Sequence, residues 1–160
     1  MTDTQRLFHT ASPEETAVLA QRIGAALRRG DTLLLDGPVG AGKTHFARQL
    51  ILSLLDVPED VPSPTFTLVQ VYDSPAGEIW HSDLYRLTAP DEVVELGLEE
   101  AFDTAICLIE WPDRLGDLTP AGALSLRFEV LDESRRAIHA SGPAGRWARL
   151  LNDDIGDEDD

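Results

Sequence analysis

Lysine is nearly absent from this chain. Of 13 lysine and arginine side chains in 160 residues, one is a lysine, Lys43, and the rest are arginines. That scarcity excludes the Asn-Lys-x-Asp motif by which common GTPases read guanine. Cysteine is as scarce: Cys107 alone excludes an internal disulfide. No Cys/His cluster has metal-ligand spacing, which argues against a zinc site. No segment approaches the ~20 apolar residues of a membrane-spanning helix. The opening "MTDTQRLFHT" lacks the basic-then-apolar pattern of a signal peptide. A cytoplasmic protein with no membrane partner is expected.

Positive charge is scarce too, with 29 acidic residues against 13 basic and a net charge of −16. Gripping nucleic acid through a broad basic surface is therefore excluded, because neutralising phosphates supplies most of that affinity. Any connection to RNA should run through a partner. Six of the acids lie in the last nine residues, "NDDIGDEDD"; without them 23 acids still face 13 bases, leaving −10. The tail, 152–160, reads as a solvated, disordered end, with a regulatory or docking role as the alternative.

What remains, residues 1–151, suits one domain with an ordinary 42% apolar content and no repeats or linker. Ser12, Pro13 and Glu15 predict a helix start with a capping box. Val18, Leu19, Ile23, Ala26 and Leu27 predict its inner face, with Gly30 ending it. "DTLLLD" (31–36) reads as a buried strand, followed by a glycine-rich loop and a helix over about 43–55. The proline-rich stretch 56–64 must be loop. "TLVQVY" and "EIWHSD" flank a turn as a hairpin, "APDEVVELGLEEAF" reads as helix and turn, and "AICLIE" as an apolar strand. "LSLRFEV" and "RRAIHA" predict a second antiparallel pair before a last helix. Helices alternating with strands, then hairpins, predict an α/β fold with a mixed parallel and antiparallel sheet.

The chemistry starts at "GPVGAGKT" (37–44). Gly37, Gly42, Lys43 and Thr44 fit G-x-x-x-x-G-K-[ST], placed after a strand and opening a helix as a phosphate loop requires. Backbone N–H groups there wrap phosphates, aided by the helix N-terminus. Pro38 has no N–H, so the cradle runs from Val39 through Gly40, Ala41 and Gly42. Lys43 suits the β- and γ-phosphates as a compact point charge that arginine's planar fork cannot replace. Thr44 offers its hydroxyl to Mg2+. ATP follows by exclusion of guanine.

Such a site needs a second acid at a neighbouring strand end. Glu110, closing "AICLIE", takes that role in preference to Asp36, which ends the strand leading into the loop itself. Asp83 in "HSDLYRL" either supports a metal-bound or attacking water or simply opens a turn; spacing leaves both readings open. Thr65 in "SPTFTLV" stands where a switch threonine would sense the γ-phosphate, yet its type alone favours a loop cap. Trp111 by itself reads as a core or edge aromatic, Tyr85 and Arg86 as surface, and His9, His45 and His139 as structural.

Taken together, "GPVGAGKT", "SPTFTLV", "HSDLYRL", "ELG" (95–97) and "LIEWPDRL" (108–115) resemble the bacterial TsaE family, also called YjeE, in order and spacing over roughly 12–115. The resemblance implies a phosphate-loop, three-layer ATPase that serves threonylcarbamoyladenosine modification of tRNA. It implies docking on a TsaB–TsaD complex, which performs the transfer, and resetting of that complex by ATP hydrolysis. Lys43 would contact phosphates, Thr44 and Glu110 would hold Mg2+, Asp83 would support metal or water, Thr65 would belong to a switch-like loop, and Trp111 would lie beside the site. Two positions depart from the usual family loop: Pro38-Val39 replace Asp-Leu, and His45 replaces a second threonine. A small-molecule kinase and a nucleotide-gated binding module without significant turnover are the competing readings. Residues 116–160 carry no usable motif.

Overall fold

The computed structural model describes residues 3–64 and 68–152. The chain enters as a strand, β1 (Asp3–Thr10), which the sequence reading does not anticipate. Helix α1 (Pro13–Gly24) starts as expected: the Ser12 hydroxyl accepts the Glu15 N–H at 3.2 Å. The Glu15 carboxylate reaches back to the Ala11 N–H at 2.8 Å, one residue earlier than a standard capping box. Two details differ from expectation. The Thr16 hydroxyl meets that of Thr10 at 2.7 Å, which turns Thr16 inward and leaves Val18 exposed. The helix stops at Gly24, and Gly30 instead makes a left-handed turn (φ +93°) whose N–H donates to the Ala105 carbonyl.

The apolar run becomes β2 (Thr32–Asp36), and α2 (Lys43–Leu54) follows the glycine loop. The expected hairpin is β3 (Val69–Tyr72) and β4 (Ile79–Asp83). The next helical stretch splits at left-handed Gly97 into α3 (Pro90–Glu95) and α4 (Leu98–Thr104). Strand β5 (Ile106–Glu110) leads into a 3-10 segment, Pro112–Leu118, and the chain finishes with β6 (Leu124–Val130), β7 (Arg136–Pro143) and α5 (Ala144–Asn152). Asn152 thus belongs to the last helix; residues 153–160, for which disorder was expected, lie outside the described residues.

The described strands form one sheet in the order β1-β7-β6-β2-β5-β4-β3. Strand β2 pairs in parallel with both β5 and β6, and β4 with β5, while β1/β7, β6/β7 and β3/β4 are antiparallel. This is the mixed sheet the pattern predicts. Alternation along β2 divides the core: Leu33 and Leu35 face α1, α2 and α5, whereas Leu34 joins Val93, Leu98 and Phe102 on the other face. Three layers result. Cys107 is a fully buried filler in the second cluster, and burial pushes its thiol up to about 12. No helix among the described residues is long and apolar enough to cross a membrane.

Helix α5 is tied to β1, where Arg6 Nη1 donates to the Leu151 carbonyl at 2.8 Å, and to the segments that lead into β6 and β2. The Trp147 indole donates to the Gly122 carbonyl at 2.7 Å, and Gly142 lacks a side chain where a Cβ would lie 2.8 Å from that ring. Arg146 donates from Nε to Asp31 Oδ1 at 2.9 Å and from Nη2 to the Ala26 carbonyl at 2.9 Å, just ahead of β2. Asp31 is 6% exposed and also accepts the Arg28 N–H. Asp31→Ala strands the guanidinium against a half-closed surface. Urea denaturation should show a loss of about 2–3 kcal/mol, at or just below the ~3–5 kcal/mol for breaking a fully buried pair because Arg146 retains some solvent.

Candidate functional site

The site is built where β2, β4 and β5 end and α2 begins. Strand β2 terminates in Asp36, whose Oδ1 accepts the Gly37 N–H at 2.9 Å. Gly37 has φ +143°, and a Cβ there would lie 2.7 Å from the Phe128 carbonyl of β6, so no larger residue fits. The Ala41 N–H closes a turn onto the Pro38 carbonyl at 3.1 Å. Gly40 and Gly42 take φ +84° and +99°, and the space their missing side chains would fill is open. Val39 stands 80% exposed at the tip. Helix α2 begins at Lys43 with no side-chain cap, and the N–H groups of Gly42, Lys43 and Thr44 meet no backbone acceptor among the described residues. That row of N–H donors at a helix start, bordered by open space, is a fit for an anion.

Lys43 is 5% exposed. Its Nζ donates to the Gly37 carbonyl at 2.6 Å and lies 3.7 Å from the centre of the Trp111 ring. Burial lowers its pKa, and the carboxylates of Glu110, Asp36, Asp83 and Asp113 oppose that shift. Next along the helix, the Thr44 hydroxyl donates to both Glu110 oxygens, at 2.9 and 3.0 Å. Glu110, 2% exposed at the end of β5, also receives His81 Nε2 at 2.8 Å on Oε2. Threonine hydroxyl and carboxylate form a paired set of hard oxygen donors, which fits Mg2+.

Asp83 lies directly across from Glu110 in the parallel β4/β5 register and is 7% exposed. Its Oδ1 accepts the Tyr85 N–H at 3.0 Å, so it starts a turn while standing beside the site. Trp111 adopts a left-handed conformation (φ 60°) immediately after Glu110, rare for a large side chain, which brings its ring over Lys43. The Tyr85 ring packs on Trp111 with centroids 4.8 Å apart. Gly37, Val39, Gly40, Ala41, Gly42, Lys43, Thr44, Asp83, Glu110 and Trp111 therefore gather at one end of the sheet. Thr65 lies outside the described residues. His45 and His139 are structural, bonded to the Pro13 carbonyl and to Glu129.

Two side chains at this site escape the sequence reading. His81 is fully buried, with no partner at Nδ1 among the described residues, and its Nε2 is the donor that Glu110 requires. Its signal was available: His81 is two residues before Asp83, hence on the same face of a strand. Arg136, from the stretch without motifs, donates from Nε to the Ala41 carbonyl at 3.1 Å and from Nη2 to that of Gly40 at 3.4 Å. Its signal is purely tertiary. Replacing His81 tests the first contact. His81→Leu removes a donor from a buried carboxylate and should cost about 2 kcal/mol in chemical denaturation, whereas His81→Gln keeps an N–H donor and should recover part of it.

Residues 10–138 match the family of the threonylcarbamoyl adenosine biosynthesis protein TsaE. The chain is 40% identical over 125 residues to the tRNA threonylcarbamoyladenosine biosynthesis protein TsaE of Rickettsia bellii (strain RML369-C), covering 78% of this chain and 87% of that one. It is 32% identical over 150 residues to the protein of the same name from Bacillus subtilis (strain 168), covering 93% of each. The crystal structure of Bacillus subtilis YdiB superposes with a TM-score of 0.80 at 27% identity, over 100% of this chain and 99% of that one. By the family match over residues 10–138 and these identities, the chain belongs to the TsaE family.

Proposed function

We propose that this protein binds ATP with Mg2+ and hydrolyses it in the service of tRNA threonylcarbamoyladenosine biosynthesis, docked on a TsaB–TsaD complex. Its relatives carry that biosynthetic process in their names. The observation that carries the ATPase reading is the convergence of Lys43, Thr44 and Glu110. A buried lysine at a helix start sits next to a threonine whose hydroxyl lies 2.9 Å from the carboxylate of the neighbouring parallel strand.

The N–H groups of Gly42, Lys43 and Thr44 hold phosphate oxygens in this reading, with Val39 to Ala41 shaping the loop around them. Lys43 exchanges the Gly37 carbonyl for the β- and γ-phosphates and keeps Trp111 beside it. Thr44 and Glu110 would hold Mg2+, which would neutralise charge that develops on the phosphate oxygens. His81 holds the Glu110 carboxylate in place from behind. Asp83 orients the attacking water. The oxygen of that water bonds to the γ-phosphorus as the bond to the β–γ bridging oxygen breaks, giving ADP and inorganic phosphate. Thr65 belongs to the loop that senses the γ-phosphate. The tRNA is engaged only through the partner pair, consistent with a net charge of −16.

Phosphate release from ATP tests this directly, with the protein alone and mixed with TsaB and TsaD. Slow release alone and a clear rise with the pair are expected. Lys43→Ala should lower the stimulated rate at least ~100-fold, on the scale of losing one preorganised cation or donor. ATP bound and the pair captured without any rise would replace hydrolysis by nucleotide-gated binding. A phosphorylated small molecule as product would replace it by a kinase.

A further inference from the structure

We infer that Arg136 is a positioning residue of the phosphate loop, setting its peptide groups so that the loop's N–H donors face the phosphates; this rests on the nucleotide reading above. Arg136 opens β7, where it pairs with Val130 of β6 and Thr10 of β1. Its guanidinium is anchored first by its own hairpin. Nη1 donates to the carbonyls of Asp132 at 2.9 Å and Arg135 at 3.0 Å. That hairpin turn is itself held by the Asp132 carboxylate, which accepts the N–H groups of Ser134 and Arg135 at 3.0 and 2.9 Å and the Arg135 Nε at 2.6 Å. The bonds from Arg135 and Ser134 keep the Asp132 carboxyl down at about 2, so the turn stays tied at neutral pH.

The other edge of the same rigid fork crosses to the phosphate loop, bonding the Ala41 carbonyl at 3.1 Å and the Gly40 carbonyl at 3.4 Å. A trans peptide is planar, so the carbonyl of one residue and the N–H of the next point in opposite directions. Holding the Gly40 carbonyl orients the Ala41 N–H, which closes the turn onto Pro38. Holding the Ala41 carbonyl directs the Gly42 N–H away from Arg136, and that N–H has no backbone acceptor among the described residues. Gly40 and Gly42, both at positive φ, have little intrinsic resistance to a peptide flip. The turn onto Pro38 restrains the Gly40–Ala41 peptide from within, but the Gly42 N–H has no such bond among the described residues, and Arg136 restrains the Ala41–Gly42 peptide from outside. Lysine, with one ammonium, cannot bridge two loop carbonyls and two hairpin carbonyls in one plane.

Equilibrium binding of ATP and of ADP to the full chain, with melting temperature measured in parallel, tests this role. Because the loop's N–H groups act on the phosphates shared by both nucleotides, Arg136→Ala should weaken both alike, at least roughly tenfold, with Arg136→Lys in between. A mere fastening of the hairpin predicts a lower melting temperature with both affinities within about twofold of wild type, and that result overturns the inference. Should Arg136→Ala not fold, Arg136→Lys decides alone: weakening of both nucleotides supports the role, and unchanged affinity overturns it. Wild-type protein that binds neither nucleotide would instead overturn the nucleotide reading itself.

Discussion

A carboxylate with 2% of its surface exposed survives in a protein core only where donors replace its lost water, and the structure around Glu110 supplies them from two elements. Thr44 donates from the first turn of α2, and His81 donates from β4. Because α2 must begin one residue before Thr44, the glycine loop has to deliver the chain to that point, and β2 has to lie beside β5. The parallel β2/β5 register does this, setting Leu35 opposite Glu110. Removing either donor leaves a buried charge short of partners, so the arrangement couples the helix, the loop and two strands into one unit. That coupling explains how side chains 66 and 29 residues apart along the sequence from Glu110 can be held within hydrogen-bond distance.

Strands β6 and β7 form the rear wall of this unit. Strand β6 flanks β2 on the side away from β5, and its Phe128 carbonyl occupies the space a side chain at position 37 would need. The hairpin between β6 and β7 then reaches the loop through Arg136. A phosphate loop needs φ values that only glycine adopts cheaply, and glycine by itself is loose. Packing against β6 and bonding to the hairpin fix conformations that the loop sequence merely permits. Sheet topology thus positions the site: strand β2 stands between β5, which bears Glu110, and β6, which packs against the loop at Gly37.

Much of this was legible because it is local. The loop motif, the cap at Ser12, the buried run at 31–36 and the acid closing 105–110 each depend on residues within a few positions of one another. Strand β1 was missed because only its last four residues alternate clearly into the core, and its partner β7 lies more than 120 residues away. Val18 was misplaced because a Thr10–Thr16 hydroxyl contact outweighed the apolar pattern of α1. The proximity of Trp111 to Lys43 depends on a left-handed backbone at a tryptophan, which no propensity suggests. Asp83 shows the reverse case: the turn reading describes it, since its carboxylate accepts the Tyr85 N–H, and the same residue stands opposite Glu110 in register.

The charge balance raises a physical question of its own. A polyphosphate approaching this chain meets a protein of net charge −16, and Glu110, Asp36, Asp83 and Asp113 all act on Lys43. Long-range attraction therefore cannot bring the nucleotide in; repulsion beyond about 10 Å is screened by salt, and binding has to be won at contact. Three local sources offset the acids: the N–H row at the start of α2, the positive end of that helix, worth roughly half a charge, and the Lys43 ammonium. They face four carboxylates. Under the nucleotide reading the deficit falls to a divalent cation between the phosphates and the Thr44–Glu110 pair. Metal and nucleotide then bind as one neutralising unit, and each should bind weakly without the other. Under that reading the acids around Lys43, which look unsuited to an anion site, make its affinity conditional on the metal.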